Sequence, residues 1–381
     1  MLRLGSTLGG PVIHHHLRLF LWFAILAVLA VAGAGCGGTS VSPPAGPPPP
    51  PPGPVAFRTE VFLSNLNFPV TLAFAPDGRL FFNELNTGQI RIIQGGSLLA
   101  QPFATVPAKT GGERGLIGLA FDPQFASNHF VYVYYSEEIV VGTVIQRLVR
   151  FTDVNGVGQN RTVILDNLPS ASQHNAGNLG FGRDGKLYLS MGDNTDPANS
   201  QDPNVLPGKI LRYNIDGSVP TDNPFGATNP AFAIGLRNSF DFTFHPQSGT
   251  IYASENGQNC DDEINRIVGG QNYGWRPNQP CGDNDPAFTA PLIRFNPPIA
   301  PTGIVFYTGN VFPQFTGSLF MTDFNTGRVR RFVVNESAGG QITTNEIVVD
   351  GGFGLLLDIV QGPDGFIYFS STTAIMRIVP Q

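Results

Sequence analysis

Pro76-Asp77-Gly78-Arg79-Leu80-Phe81-Phe82 and, a little further on, Ile90-Arg91-Ile92 form a two-part phrase: a turn into an aromatic strand, then a short strand carrying an arginine. The phrase recurs six times. Its first half returns as Phe121-Asp122-Pro123 leading to Val131-Tyr132-Val133-Tyr134, and as Arg183-Asp184-Gly185-Lys186-Leu187-Tyr188. It returns again as His245-Pro246-Gln247-Ser248-Gly249-Thr250-Ile251-Tyr252, as Phe312-Pro313 leading to Leu319-Phe320, and as Pro363-Asp364-Gly365-Phe366-Ile367-Tyr368. The second halves are Gln146-Arg147-Leu148, Ile210-Leu211-Arg212, Ile264-Asn265-Arg266-Ile267, Val329-Arg330-Arg331 and Met376-Arg377-Ile378. Copies follow one another at about 47 to 67 residues, a period that suits propeller blades. A single unit leaves a sheet face and its edges uncovered, so the copies must close into a ring. The sequence predicts an all-β chain folded as a six-bladed β-propeller.

Composition points the same way. Only 13% of residues are charged, against roughly 25% in an ordinary globular chain, and 46 Gly, 33 Pro and 30 Phe suit turns and aromatic strands. The net charge is −6 and no basic stripe appears, which argues against nucleic acid as a partner. Residues 1–36 read as an export signal of lipoprotein type: Arg18 precedes an apolar run, Leu19 to Ala34, that is short for a membrane span and ends in small residues. Gly33-Ala34-Gly35 before Cys36 resembles a lipoprotein processing site, although Gly33 stands where a branched apolar residue is usual; cleavage after Ala34 or an uncleaved anchor are the alternatives. The expected location is periplasmic or cell-surface, with a lipid anchor on Cys36. His14 to His16 lie in the leader and are set aside as metal ligands. Residues 37–55 form a Pro-rich linker, in which Pro43 to Pro54 makes a stiff, extended spacer. Residues 56–381 form the propeller, roughly 54 per blade, without a second domain boundary. Its two cysteines, Cys260 and Cys281, read as a disulfide closing a loop of about 20 residues and worth roughly 3 kcal/mol; two separate buried thiols are the alternative.

Strands carry a propeller's fold and loops carry its chemistry, so departures from the repeat locate the site. His129 and His245 occupy strand-opening and turn positions and read as structural. His174 differs. It sits between blades in Gln173-His174-Asn175-Ala176-Gly177-Asn178-Leu179, where amides and a glycine allow close approach of backbone to a ligand. A neutral imidazole there can serve as a general base; a solvent-exposed loop histidine is the plain alternative. Asp193, in Gly192-Asp193-Asn194, can orient that imidazole, or simply make a turn. A third segment runs from Gly235-Leu236-Arg237-Asn238 through Glu255-Asn256-Gly257-Gln258-Asn259-Cys260-Asp261-Asp262-Glu263 to Asn272-Tyr273-Gly274-Trp275. Its three consecutive acids, with main-chain carbonyls at Gly257 and Gln258, offer hard oxygen ligands suited to calcium rather than zinc; a solvated acidic loop is the alternative.

Taken in order, these segments resemble the soluble quinoprotein sugar dehydrogenases of the glucose/sorbosone dehydrogenase family, which are six-bladed propellers. The likeness runs through Gly112-Glu113-Arg114-Gly115-Leu116-Ile117-Gly118, the His174-Asn175 loop, Met191-Gly192-Asp193, Gly208-Lys209-Ile210-Leu211-Arg212, Gly235-Leu236-Arg237-Asn238, the Glu255 to Glu263 loop, Asn272-Tyr273-Gly274-Trp275 and Gly362-Pro363-Asp364-Gly365. The resemblance implies oxidation of an aldose at C1, with pyrroloquinoline quinone (PQQ) accepting hydride and an external electron acceptor reoxidising it. By that likeness His174 is the base, Asp193 its acid partner, Arg237 the cation beside the quinone carbonyls and Asn238 a neighbouring cofactor contact. Glu113 falls where the family carries a polar active-site residue, often Gln. Gly257 and Gln258 resemble the carbonyl ligands of a calcium that bridges to PQQ, and Asp262 and Glu263 its acidic support.

One position departs from the family. PQQ carries three carboxylates and calls for Lys or Arg on its far side. Where relatives carry a Lys, this chain has Phe306-Tyr307-Thr308-Gly309, which leaves Arg328 and Arg330 as substitute contacts, although the repeat also accounts for an arginine in that strand. Two other functions fit the same fold. A non-catalytic propeller would bind carbohydrate or a protein and need no counter-charge. A calcium-dependent lactonase would activate water at a metal and have no evident use for Arg237.

Overall fold

The computed structural model describes residues 53–381, so the expectations for the leader, Cys36 and most of the linker lie outside the described residues. Six small antiparallel sheets follow one another along the chain. Blade one holds Pro69–Phe74, Leu80–Glu84 and Gln89–Gln94; blade two holds Leu116–Phe121, Phe130–Val140, Thr143–Val154 and Val157–Leu168. Blade three holds Leu179–Phe181, Leu187–Met191, Lys209–Tyr213 and Ala231–Ile234, and blade four holds Ser239–Phe244, Ile251–Glu255, Asp262–Ile267 and Ile293–Phe295. Blade five holds Pro301–Phe306, Leu319–Asp323, Arg328–Asn335 and Gln341–Asp350. Blade six takes Leu356–Gln361, Ile367–Ser371 and Ala374–Pro380 from the end of the chain and its outer strand, Phe57–Ser64, from the start. The ring is therefore a six-bladed β-propeller, closed by pairing the two ends of the described chain.

Register explains the repeat. In five blades the aromatic residue of the second strand lies edge-on against an aromatic at the end of the next blade's inner strand: Phe81 on Phe121, Tyr132 on Phe181, Tyr188 on Phe244, Tyr252 on Phe306 and Tyr368 on Phe74, with ring centroids 5.0 to 5.5 Å apart; Phe320 holds the same position in blade five, where the next inner strand ends in Gln361 instead. Such edge-to-face pairs add about 0.5–1.5 kcal/mol each beyond their buried area. Opposite these aromatics on the third strand stand Arg150, Arg212, Arg266, Arg331 and Arg377. The repeat therefore corrects two sequence positions. In blade two the equivalent arginine is Arg150, over the Phe130 ring at 3.8 Å, not Arg147; in blade one the position is Ile92, and Arg91 pairs one step earlier with Phe82. A period read from letters alone slips by one or three residues where a strand is longer than its fellows, as in blade two.

Around the central channel the inner strands bulge at matching heights, with register shifts in blades one, two, four, five and six. In five of the six blades a polar residue at or beside the inner strand reaches the next blade's backbone. Thr71 donates to Ile117 O, Asn178 to Phe242 O at 3.2 Å, and Thr302 to Leu356 O at 3.2 Å. The Asp241 carboxylate accepts from Ile304 N at 2.7 Å, and that of Asp358 from Leu72 N at 2.6 Å. Between blades two and three a glycine replaces the tie, since a Cβ on Gly118 would collide with Gly177 O.

Candidate active site

The second strands of the blades end, and the inner strands begin, at one face of the ring, and the loops there build the site. Leu187–Met191 delivers Gly192 and Asp193; a Cβ on Gly192 would strike the His174 carbonyl, so the two loops pack backbone to backbone. His174 itself takes a left-handed backbone conformation, φ 55°, which turns its ring out of the loop. Its main-chain N–H donates to Glu113 at 2.7 Å, and Asn238 Nδ2 donates to the same carboxylate oxygen at 3.2 Å.

The imidazole is held from both sides. Nδ1 lies 2.6 Å from Asp193 Oδ1, and Nε2 lies 2.9 Å from a nitrogen of the Arg237 guanidinium. A guanidinium only donates, so Nε2 is the acceptor and Nδ1–H donates to Asp193. Asp193 is 1% exposed, and its second oxygen accepts the Trp275 indole N–H at 2.8 Å. Arg237 sits over the Trp275 ring at 5.6 Å and donates to Asn256 O at 2.8 Å. The result is an ordered base with a free-electron-pair nitrogen, a buried carboxylate behind it and a positive charge in front. An incoming hydroxyl would replace Arg237 as the donor to Nε2.

Glu255 anchors this arrangement from below. Its carboxylate accepts the main-chain N–H groups of Arg237 at 2.8 Å and Asn238 at 2.6 Å, and the Ser239 hydroxyl. Burial pushes its pKa up to about 7.

A cavity of about 140 Å³ opens beside Arg237, walled by Glu255, Gly257, Gln258, Asp261, Glu263 and Gln279 among others. A second, of about 250 Å³, lies on the channel side, with Glu113 and Asn238 at its edge and Phe68, Phe240 and Phe324 in its walls. Among the described residues, Arg237 is the one Lys or Arg lining either cavity.

The structure places the expected residues in three groups. His174, Asp193, Arg237, Glu113 and Asn238 converge, Asp193 and Arg237 on the imidazole and Glu113, bonded to Asn238, on the His174 main-chain N–H. Gly257 and Gln258 line the adjoining cavity. Asp262 is next to them but committed elsewhere, accepting from Gly257 N at 2.8 Å, Ile299 N at 2.6 Å and Ala300 N at 2.7 Å. Glu263 accepts from Asn265 and Arg294. Among the described residues no three His, Cys, Asp or Glu side chains gather as a metal cluster. Cys260 and Cys281 are bonded, pinning the chain two residues after Gln258. Arg328 and Arg330 stand apart, paired with Asp350 at 2.6 Å and Asp323 at 3.0 Å, and line neither cavity. His129 and His245 are structural: His129 closes a four-residue helix, and His245 Nδ1 accepts backbone N–H groups of its own turn.

A family model described as Glucose / Sorbosone dehydrogenase matches residues 66–378. The chain belongs to the glucose/sorbosone dehydrogenase family. Within it, the chain is 29% identical to aldose sugar dehydrogenase YliI of Escherichia coli, over 86% of this chain and 94% of that one. It is 33% identical to quinoprotein glucose dehydrogenase B of Acinetobacter calcoaceticus, over 58% of this chain and 52% of the relative. Among solved structures, the PQQ-bound aldose sugar dehydrogenase of Streptomyces coelicolor superposes with a TM-score of 0.75 at 26% identity, covering 86% of this chain and 99% of that one. The chain is also 30% identical to the hedgehog-interacting protein of Mus musculus, over 56% of this chain and 37% of the relative.

Two members of this site had no assigned role in the sequence reading. Trp275 holds Asp193, and Glu255 holds the Arg237 turn. The signal for the first is that Trp275 is the sole tryptophan after residue 22, placed in a Gly-containing loop rather than in a strand.

Proposed function

We propose that this chain is a PQQ- and calcium-dependent dehydrogenase that oxidises an aldose at C1, with hydride transfer to the quinone. The observation that carries the reading is His174, with Asp193 at Nδ1 and Arg237 at Nε2, where Arg237 itself lines the cavity that the Gly257–Gln258 loop also walls. The donor set fits the two missing groups at their reactive ends. Arg237 supplies one positive charge for quinone oxygens. The Gly257 and Gln258 carbonyls would hold calcium, with Asp262 fixing Gly257 through its N–H and Glu263 adding negative charge nearby. Gln279 lines the same cavity, and its buried Oε1 has no partner among the described residues. Bound there, PQQ would supply the two-electron acceptor.

The chain's own residues do the rest. His174 Nε2 takes the C1 hydroxyl proton while the C1–H bond gives up its electron pair as hydride, leaving C1 as a lactone carbonyl. Asp193 keeps Nδ1 protonated and stabilises the imidazolium that forms. Arg237, released from Nε2 by the hydroxyl, offers its charge where negative charge develops. Glu113 and Asn238 fix the His174 backbone from the channel side. The leader's apolar run and Cys36 support an exported, lipid-tethered protein.

A second reading, a binding propeller without chemistry, is favoured by Arg237 being the sole cation facing either cavity, where PQQ carries three carboxylates. One experiment separates them. Purified protein given PQQ and calcium should gain the quinone absorbance and lose it when aldoses are added. Binding of sugar with no quinone bound at any calcium concentration would establish the second reading instead.

A further inference from the structure

Lys209 is fully buried on the inner edge of a blade-three strand, yet it faces no carboxylate at bonding distance. Its ammonium donates to two main-chain carbonyls, Asn199 O at 2.8 Å and Pro207 O at 2.7 Å. Burying an unpaired ammonium costs several kcal/mol, so a fold that keeps one there gains something specific. What these carbonyls belong to supplies the reason. They bracket the loop between the second and third strands of blade three, whose short helix Pro197–Gln201 is capped by Asp196.

That helix touches all three loops that hold the imidazole. Asn199 Nδ2 donates to Asp193 O at 2.9 Å. The Ser200 hydroxyl donates to Leu236 O at 2.7 Å, and Gly235 N donates to Ser200 O at 2.8 Å, so the segment running into Arg237 is pinned from both directions. Gln201 donates to Trp275 O at 2.7 Å and exchanges two hydrogen bonds with Asn272, at 2.8 and 3.1 Å. Gly208, beside Lys209, has no room for a Cβ because Ser200 fills it. One lysine therefore bolts down a helix whose successive residues 199, 200 and 201 set the Asp193, Arg237 and Trp275 loops relative to one another.

We propose that Lys209 is a positioning residue for the His174 site: its bond to Asn199 O holds the 197–201 helix against the loop end it grips at Pro207 O, and through that helix it holds the alignment of Asp193, Arg237 and Trp275 around the imidazole. The consequence for turnover rests on the dehydrogenase reading above; the alignment itself does not.

The test uses Trp275 as its own reporter. In the full chain carrying Trp22→Phe it is the only tryptophan, and its indole bonds Asp193 directly. Lys209→Met, similar in volume but unable to donate, is expected to leave the far-ultraviolet circular dichroism of the sheet in place. It should shift Trp275 emission to the red and raise its acrylamide quenching constant by about twofold or more, with neither PQQ nor sugar present. Gln201→Leu, which cuts only the tie to the Trp275 loop, should reproduce the shift in a core that keeps Lys209. Where the first variant fails to fold, the second decides. Native emission and quenching in a folded Lys209→Met, or in Gln201→Leu, overturns the proposal. If sugar oxidation is also measurable, Lys209→Met should lower kcat about tenfold or more with little change in KM. An active wild type with unchanged kcat in a folded Lys209→Met also counts against it, whereas an inactive wild type with shifted Trp275 emission leaves the alignment standing and removes the dehydrogenase reading.

Discussion

At the scale of single residues, the proposed chemistry is divided between the His174 imidazole and the Arg237 guanidinium that meets it. His174→Gln should leave folding and quinone binding nearly intact while reducing turnover by about 10²–10⁴-fold, the usual worth of a general base. Arg237→Ala should lower both quinone affinity and turnover, because its charge acts on the oxidised and the reduced ring alike. The deciding measurement is single-turnover reduction of pre-bound quinone by saturating sugar; equal rates for wild type and His174→Gln would remove His174 from the chemistry. His174, Asp193 and Arg237 were legible in the sequence because each breaks a repeat that otherwise explains its neighbours. Trp275 and Glu255 were not. Their roles depend on which backbone or carboxylate they meet, 82 residues away in the case of Trp275 and Asp193.

At the scale of elements, the Glu255 to Glu263 loop joins a disulfide to the proposed calcium carbonyls. Chelation should abolish quinone binding and added calcium restore it, as read by equilibrium dialysis; quinone retained after exhaustive chelation would sever calcium from the site. Replacing Cys260 and Cys281 together by Ser should cost about 3 kcal/mol in denaturant unfolding, the entropy of a loop of this length. It should also raise the calcium concentration needed for half-maximal quinone binding. The acidic triplet showed in the sequence as a ligand set, but its geometry did not. Asp262 carries its charge next to three N–H groups, where it shapes the loop and keeps Gly257 in place.

At the scale of the whole molecule, the ring closes through Phe57–Ser64, paired with Ala374–Pro380 and tied by Arg377 to Glu60 at 2.6 Å. Removing residues 1–64 should leave blade six with three strands and a bare edge, and the thermal transition should broaden or vanish in calorimetry. The channel predicts a pH dependence. Burial raises Asp358 to about 7, and burial together with the charge of Asp358 raises Asp241 well above the carboxylate range. The folded state thus keeps protons that the unfolded chain gives up near pH 4. The sign follows: this contribution is full below about pH 4 and is lost as pH rises towards 7. Asp358→Asn, which keeps an acceptor for Leu72 N, should flatten the slope of unfolding free energy between pH 4 and 7, by on the order of 2–4 kcal/mol across that window. An unchanged slope would show that the pair is hydrated in the folded protein.

The sequence by itself determined the ring and most of the imidazole cluster. Turn residues and aromatic strands are dictated locally, by backbone conformations that Gly, Pro and Asp favour and by faces that must be buried, so six copies could be counted without coordinates. Tertiary structure alone decided how the ring is sealed, that Arg150 rather than Arg147 keeps the repeat, and that Asp262 serves backbone N–H groups. It also decided that Lys209 grips the loop whose helix touches the Asp193, Arg237 and Trp275 segments. Each of these is a pairing between segments distant in the chain, and such a pairing is fixed by packing around a common axis rather than by the propensities of either partner.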